Sequence, residues 1–299
     1  MQKKISFISD GLQLSGILEI PEGLGPTERR PAIVVLHGFG SNKEDGMVML
    51  ASALFGSLGY VTLRFDMRGC GESQGMRAKV ICLEQVSDTR SAVSFLASLP
   101  QVDSSAIAVM GHSFGAAVAV YAAGVDERIA ACISSGGWGD GEKKFRRQHA
   151  EPEQWERFQA LLERGRQALA EGRSLSVSRF DIVPIPLQLR ANLPAGSLME
   201  FPFEVVDSMY RFKPNDAVAA ISPRPLLILH PAVDSVTPTE QSIEIFTHAR
   251  MPADLHLISN IDHFIFSDEN EHVLNIVRDW LARYLPLRAA PSRSAKTHH

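Results

Sequence analysis

The segment Gly111-His112-Ser113-Phe114-Gly115 constrains the fold more than any other in the chain. It joins an apolar run, Ala106-Ile107-Ala108-Val109-Met110, to a run of small residues, Ala116-Ala117-Val118-Ala119-Val120. The first suits a buried strand and the second a helix packed closely on it, so the five residues between form a sharp strand-to-helix turn. A side chain larger than glycine at either end of that turn would crowd the strand or the helix. Ser113, at the apex, is left with its hydroxyl projecting from the sheet edge.

The same rhythm runs along the chain. Residues 3–9 and 12–19 are strand-like and meet at Asp10-Gly11, a strong hairpin signal, so they form an antiparallel edge. Pro31 to Leu36 is a continuous apolar strand ending in His37-Gly38-Phe39-Gly40, and residues 47–58 follow as a helix closed near Gly59. Tyr60 to Phe65 is a further strand, leading into the loop Asp66-Met67-Arg68-Gly69-Cys70-Gly71-Glu72-Ser73. A helix over 83–98, the strand and helix around Ser113, and a strand from Ile129 to Ser134 come next. Strands apolar along their length and alternating with helices predict an α/β fold with a mainly parallel sheet covered on both faces. Functional residues in such sheets gather at the carboxyl ends of the strands, where His37, Asp66 and Ser113 all fall.

The rhythm breaks after Gly137. Residues 138–213 hold a charged amphipathic helix near 152–171, with Trp155, Phe158 and Leu162 on one face, and then proline-punctuated apolar stretches. The strand pattern resumes at Pro225 to Leu229 and needs the earlier strands to pair with, so 138–213 reads as a cap inserted into one core, 1–137 with 214–285. A helix near 239–249, a strand from Asp254 to Ile258 and an amphipathic helix over 270–285 complete that core. Residues 286–299 read as a disordered tail, and His298-His299 as tail residues rather than a metal site.

Composition narrows the class. In 299 residues, a hydrophobic share of 45% and a charged share of 21% carry neither a disorder nor a membrane signature. The net charge of −4 gives no reason to expect nucleic acid as a partner. Cys70, Cys82 and Cys132, odd in number and without a CxxC pair, fit reduced thiols in a cytoplasmic protein. No signal-peptide run and no apolar run of membrane-spanning length is present. The sequence sets no oligomeric state.

A serine hydroxyl becomes a useful nucleophile only when a base takes its proton, and the base must be oriented by a carboxylate. Asp234 lies just beyond the 225–229 strand and His263 just beyond the 254–258 strand. The order Ser113, Asp234, His263 is the one expected for an elbow serine. Asp262 is the alternative acid, disfavoured because neighbouring side chains in an extended loop point apart. His37 and His112 read as hydrogen-bonded structural histidines, Asp66 and Arg68 as residues that hold their loop together, and Cys70 as a buried small residue.

Together the His37-Gly38-Phe39-Gly40 loop, the Asp66-x-Arg68-Gly69-x-Gly71-x-Ser73 loop, the elbow, and an insertion followed by Asp and His resemble the α/β-hydrolase superfamily. Within it the chain is similar to bacterial carboxylesterases of the feruloyl/cinnamoyl-esterase kind, and also to serine peptidases of the prolyl-oligopeptidase and proline-iminopeptidase groups. The resemblance implies the α/β-hydrolase fold, with Ser113 as nucleophile, His263 as general base and then acid, and Asp234 as the orienting carboxylate. It also implies an oxyanion hole made by the backbone N–H groups of Phe39 and Phe114. The expected activity is hydrolysis of a small or medium, partly apolar or aromatic ester, with no cofactor and no metal. Trp138, Phe201 and Tyr210 are the candidate pocket residues of the cap. An aminopeptidase or amidase is the alternative, with Glu200, Glu204 and Asp207 placed to bind a substrate ammonium.

Overall fold

In a computed structural model, which describes residues 2–25, 27–266 and 270–287, one eight-stranded sheet organises the chain. Strands β1 (Gln2–Ser9) and β2 (Leu12–Glu19) form the antiparallel edge, joined through Asp10 and Gly11 at φ 47° and 79°. Two successive left-handed residues give the tight turn that matches strand twist. Strands β3 (Arg30–Leu36), β4 (Val61–Phe65), β5 (Val102–His112) and β6 (Ile129–Ser135) follow. A two-stranded antiparallel ribbon, β7 (Ser176–Ser178) and β8 (Glu200–Pro202), stands apart, and β9 (Leu226–Pro231) and β10 (Ala253–Ile258) complete the main sheet. The order is β1-β2-β4-β3-β5-β6-β9-β10, parallel from β4 onward.

Alternate residues of each central strand feed two separate cores. In β3, Ala32, Val34 and Leu36 face one side and Ile33 and Val35 the other. The period-2 alternation of a strand makes this unavoidable, which is why both faces must be apolar. Helices α1 (Gly46–Ser57) and α10 (Glu271–Tyr284) cover one face, with Val48, Phe55, Val273, Val277 and Trp280 buried against it. Helices α2 (Cys82–Ala97), α3 (Phe114–Val125) and α9 (Glu240–His248) cover the other. Each large apolar side chain so buried contributes roughly 1.5–3 kcal/mol.

Between β6 and β9 the chain leaves the sheet. It forms α4 (Gly141–Gln148), α5 (Pro152–Ala170), the short α6 (Arg179–Ile182), a 3₁₀ turn (Leu187–Asn192), α7 (Phe203–Arg211) and the short α8 (Asn215–Val218). Phe158 and Leu162 of the expected amphipathic helix are buried, and Trp155 packs beside them half-exposed. Trp138, Phe145, Phe203 and Met209 belong to the same apolar cluster as α2 and α3. The 138–213 segment therefore shares the core of the sheet's second face. The expected disordered tail, residues 286–299 with its two terminal histidines, lies outside the described residues from 288 onward. No helix among the described residues is long and apolar enough to cross a membrane.

Candidate active site

The turn between β5 and α3 holds Ser113 in a conformation that a non-glycine residue rarely adopts, φ 55° and ψ −116°. Such a conformation costs of order 1–3 kcal/mol and persists only where the surroundings fix it. The Ser113 N–H donates to Ser135 O at 2.8 Å, tying the apex to β6. The flanking glycines are needed for close approach. A Cβ on Gly111 would lie 2.0 Å from Gly115 O, and one on Gly115 would lie 2.6 Å from His37 O.

Loops after β9 and β10 bring two further side chains to Ser113. His263 Nε2 lies 2.9 Å from Ser113 Oγ, and its Nδ1 lies 2.8 Å from Asp234 Oδ2. An ionised carboxylate can only accept, so Nδ1 carries the proton and Nε2 is free to receive the serine's. Asp234 Oδ1 accepts the N–H groups of Val236 (2.7 Å) and Thr237 (2.8 Å), which orients the carboxylate from its own loop. Burial alone would raise the Asp234 carboxyl. The charge on His263 and hydrogen bonds from His230 and His263 outweigh it and hold the group well below the usual carboxylate range.

His230 is a participant that the sequence reading missed. Fully buried at the end of β9, it places Nε2 3.2 Å from Asp234 Oδ2 and 3.0 Å from Thr237 O, while Nδ1 lies 2.6 Å from Ser242 Oγ. With two acceptors facing it, Nε2 must carry the proton, so Asp234 is clamped by two imidazoles. Asp262 has another duty: it accepts from Ser235 N (2.8 Å), Ser235 Oγ (2.7 Å) and His263 N (2.8 Å), and so ties the two loops together.

The neighbouring groups expected to be structural are so placed. His37 donates from Nδ1 to Gly38 O and accepts Met67 N–H at Nε2, and burial lowers its pKa. His112 is lowered to about 3 by burial and then by the charge of His263. Asp66 accepts from Lys43 N, Lys43 Nζ and Glu72 N, while Arg68 donates from Nε and Nη2 to Asp88 Oδ1 and from its backbone N–H to Oδ2. Burial pushes the Cys70 thiol up to about 12, which removes it as a nucleophile near neutral pH.

The backbone N–H groups of Phe39 and Phe114 donate to no acceptor among the described residues. Phe114 is the first residue of α3, so its N–H is one of the donors that a helix leaves unpaired at its start. The Phe39 loop is held from above: Arg179 Nη2 donates to Phe39 O at 2.6 Å and Nη1 to Leu198 O at 2.9 Å.

A cavity with about 40 Å³ of open space lies over Ser113. Ser113, His112 and His263 line it, together with Trp138, Lys144, Val183, Ile185, Leu193 and Met209. Trp138 lines it as expected; Phe201 and Tyr210 do not. Phe201 lies behind the wall, stacked on Phe39 at a centroid distance of 4.2 Å and filling the space a Cβ on Gly40 would need. In α7 it is Met209 that faces the cavity, so the next residue, Tyr210, turns about 100° away and joins Phe145 and Phe158.

The carboxylates expected to bind an ammonium are also elsewhere. Glu200 accepts from Ser176, Glu204 from Ser174, and Asp207 pairs with Arg166 and Arg211; none lines the cavity. The lining carboxylate is Asp45, whose oxygens accept from Ser41 Oγ (2.6 Å) and Met47 N (2.9 Å) as the cap of α1. No His, Cys, Asp and Glu cluster able to hold a metal is found among the described residues.

Comparison with known proteins agrees with this architecture. The polyketide transferase GrgF of a Penicillium species is 28% identical over 290 residues, covering 92% of this chain and 94% of its own. Its crystal structure superposes with a TM-score of 0.78 at 25% identity, covering 95% of this chain and 99% of the other. A thiohydrolase of Aspergillus aculeatus is 28% identical over 317 residues, covering 96% of each chain. Est1E from Butyrivibrio proteoclasticus, solved with ferulic acid bound, shares the fold at a TM-score of 0.69, 19% identity, and coverage of 94% and 98%. The sequence model of the Alpha/beta hydrolase family matches residues 33–275. With that match spanning most of the sheet and the loops around Ser113, the chain belongs to the alpha/beta hydrolase family.

Proposed function

We propose that the protein is a serine hydrolase that cleaves a carboxylic ester of a small or medium, partly apolar acyl group through an acyl-enzyme. The observation that carries this reading is the relay Ser113 Oγ–His263 Nε2 (2.9 Å) and His263 Nδ1–Asp234 Oδ2 (2.8 Å). His263 takes the Ser113 proton as Oγ attacks the carbonyl, and Asp234 stabilises the imidazolium that forms. The oxyanion is received by the N–H groups of Phe39 and Phe114, each such donor typically lowering the barrier by roughly 3 kcal/mol. The proton passes from His263 to the leaving alcohol. A water, deprotonated by the same imidazole, then releases the acid.

A thioester enters the same cycle, its sulfur leaving as a thiol, and the similarity to a thiohydrolase and a polyketide transferase favours including it. The placement of Glu200, Glu204 and Asp207 away from the cavity removes the support for an aminopeptidase. The test is a panel of phenyl esters, matching N-acetylcysteamine thioesters and anilides, with labelling by a fluorophosphonate. Ester or thioester turnover with the label on Ser113 is expected. Anilide turnover equal to that of esters, or no label, overturns the reading.

A further inference from the structure

Several hydrogen-bond donors on the residues that line the cavity lack acceptors. Lys144 is 1% exposed, lines the cavity, and uses one of its three N–H groups, on Gln148 Oε1 at 2.8 Å. It forms no ion pair among the described residues; the faces of Phe145 and Trp138 lie 4.1 and 4.8 Å from Nζ. Trp138 Nε1 and Arg179 Nε, on two other lining residues, are buried without an acceptor. The carboxylate oxygens of Asp45 are both engaged locally. An unpartnered buried donor is costly, and a ligand that supplies the missing acceptor recovers that cost on binding. A plain hydrocarbon acyl chain offers none.

We propose that the cavity selects acyl groups bearing a second oxygen function beyond the reacting carbonyl, an oxo group or a carboxylate, and that Lys144 recognises it with Trp138 and Arg179 as flanking donors. The inference rests on the acyl-enzyme reading and names its substrate class. Burial lowers Lys144 to about 7, so near neutral pH it can meet a carboxylate as an ammonium or an oxo group as a donor in either form. Arg179, lowered to about 10 by burial, stays a cation there.

Matched five-carbon phenyl esters test this: pentanoate, 4-oxopentanoate and the monoester of glutarate. At least one oxygenated ester is expected to exceed pentanoate by about tenfold or more in kcat/KM, chiefly through KM, the size of effect of one hydrogen bond to a charged group. Which of the two leads separates oxo from carboxylate recognition. Lys144→Met should bring the ratio of that ester to pentanoate close to one. A ratio near one in the unmodified protein, or a ratio unchanged by Lys144→Met, overturns the proposal, and the first of these serves even if the variant does not fold. Binding of the corresponding primary amides to Ser113→Ala, measured by calorimetry, separates the two readings. If the acyl-enzyme reading fails, the esters are not turned over but the oxygenated amides still bind more tightly. If this inference fails, the esters are turned over and the amides bind alike.

Discussion

The Ser113 relay and the part of the cavity wall built by residues 138–213 stand on different supports. Ser113, Asp234 and His263 each sit within a few residues of the end of a parallel strand: the Ser113 N–H is tied to Ser135 O of β6, Asp234 accepts from the backbone of its own loop, and the His263 N–H donates to the Asp262 carboxylate. Lys144, Arg179, Val183 and Leu193 come from a short helix, a single turn and the irregular chain after it, and Arg179 is anchored there by the carbonyls of Phe39 and Leu198. The difference separates two properties. On the proposed reading, reactivity belongs to the strand ends of the sheet, while selectivity belongs to side chains of residues 138–213 that can be exchanged one at a time. The two regions meet at Arg179, which donates to the carbonyl of Phe39.

The largest expected effects fall at the strand ends. Ser113→Ala should lower kcat by roughly 10³-fold or more, and Asp234→Asn by a comparable factor, measured with the preferred ester. Asp262→Asn, which only loosens the tie between loops, should cost far less; if it were the more damaging change, the acid has been misassigned. His230→Phe, removing one of the two imidazoles on Asp234, should reduce kcat roughly tenfold with KM little changed. A fall in thermal stability alone, with kcat intact, would make His230 a packing residue.

Changes in the wall built by residues 138–213 should move preference before rate. Leu193→Ala opens the wall and should raise kcat/KM for an acyl chain two carbons longer by roughly tenfold relative to the short one. An unchanged profile would mean that Leu193 does not bound the acyl site. The smallest effect is on stability. Lys144 has a folded-state pKa lowered to about 7, below its ordinary value of 10.5, so the unfolded chain binds the extra proton between those limits. Stability relative to Lys144→Met should therefore rise with pH from about 7 toward 10, by up to about tenfold in the unfolding equilibrium per pH unit. Denaturant titrations of both proteins at pH 7 and 9 give the sign directly.

Much of the sheet and the Ser113 relay was legible because the signals are local. A doubly buried strand is apolar throughout, a turn forced to close approach needs glycine, and residues just past strand ends converge whatever the helices do. The register of 138–213 left no such trace. Lys144 stands in Gly141-Glu142-Lys143-Lys144-Phe145-Arg146-Arg147-Gln148, where its charge looks like its neighbours', yet it is buried while Lys143 reaches Glu244 on the surface. Phe201 was expected in the pocket, but whether an aromatic ring lines a cavity or backs its wall depends on packing partners such as Phe39 that are distant in sequence. His230 lay one strand residue before a loop already singled out, and only the fold showed which way it points.

The central claim is that an acyl group passes through Ser113 Oγ, and trapping that intermediate tests it most directly. The protein is mixed with a slowly deacylating phenyl ester, quenched in acid within the first turnover and digested, and the peptide spanning residues 111–115 is weighed. The account predicts the mass of the acyl group on Ser113 and its absence from Ser113→Ala. Turnover that proceeds with no acyl adduct on that peptide, or with an adduct on another side chain, would contradict it.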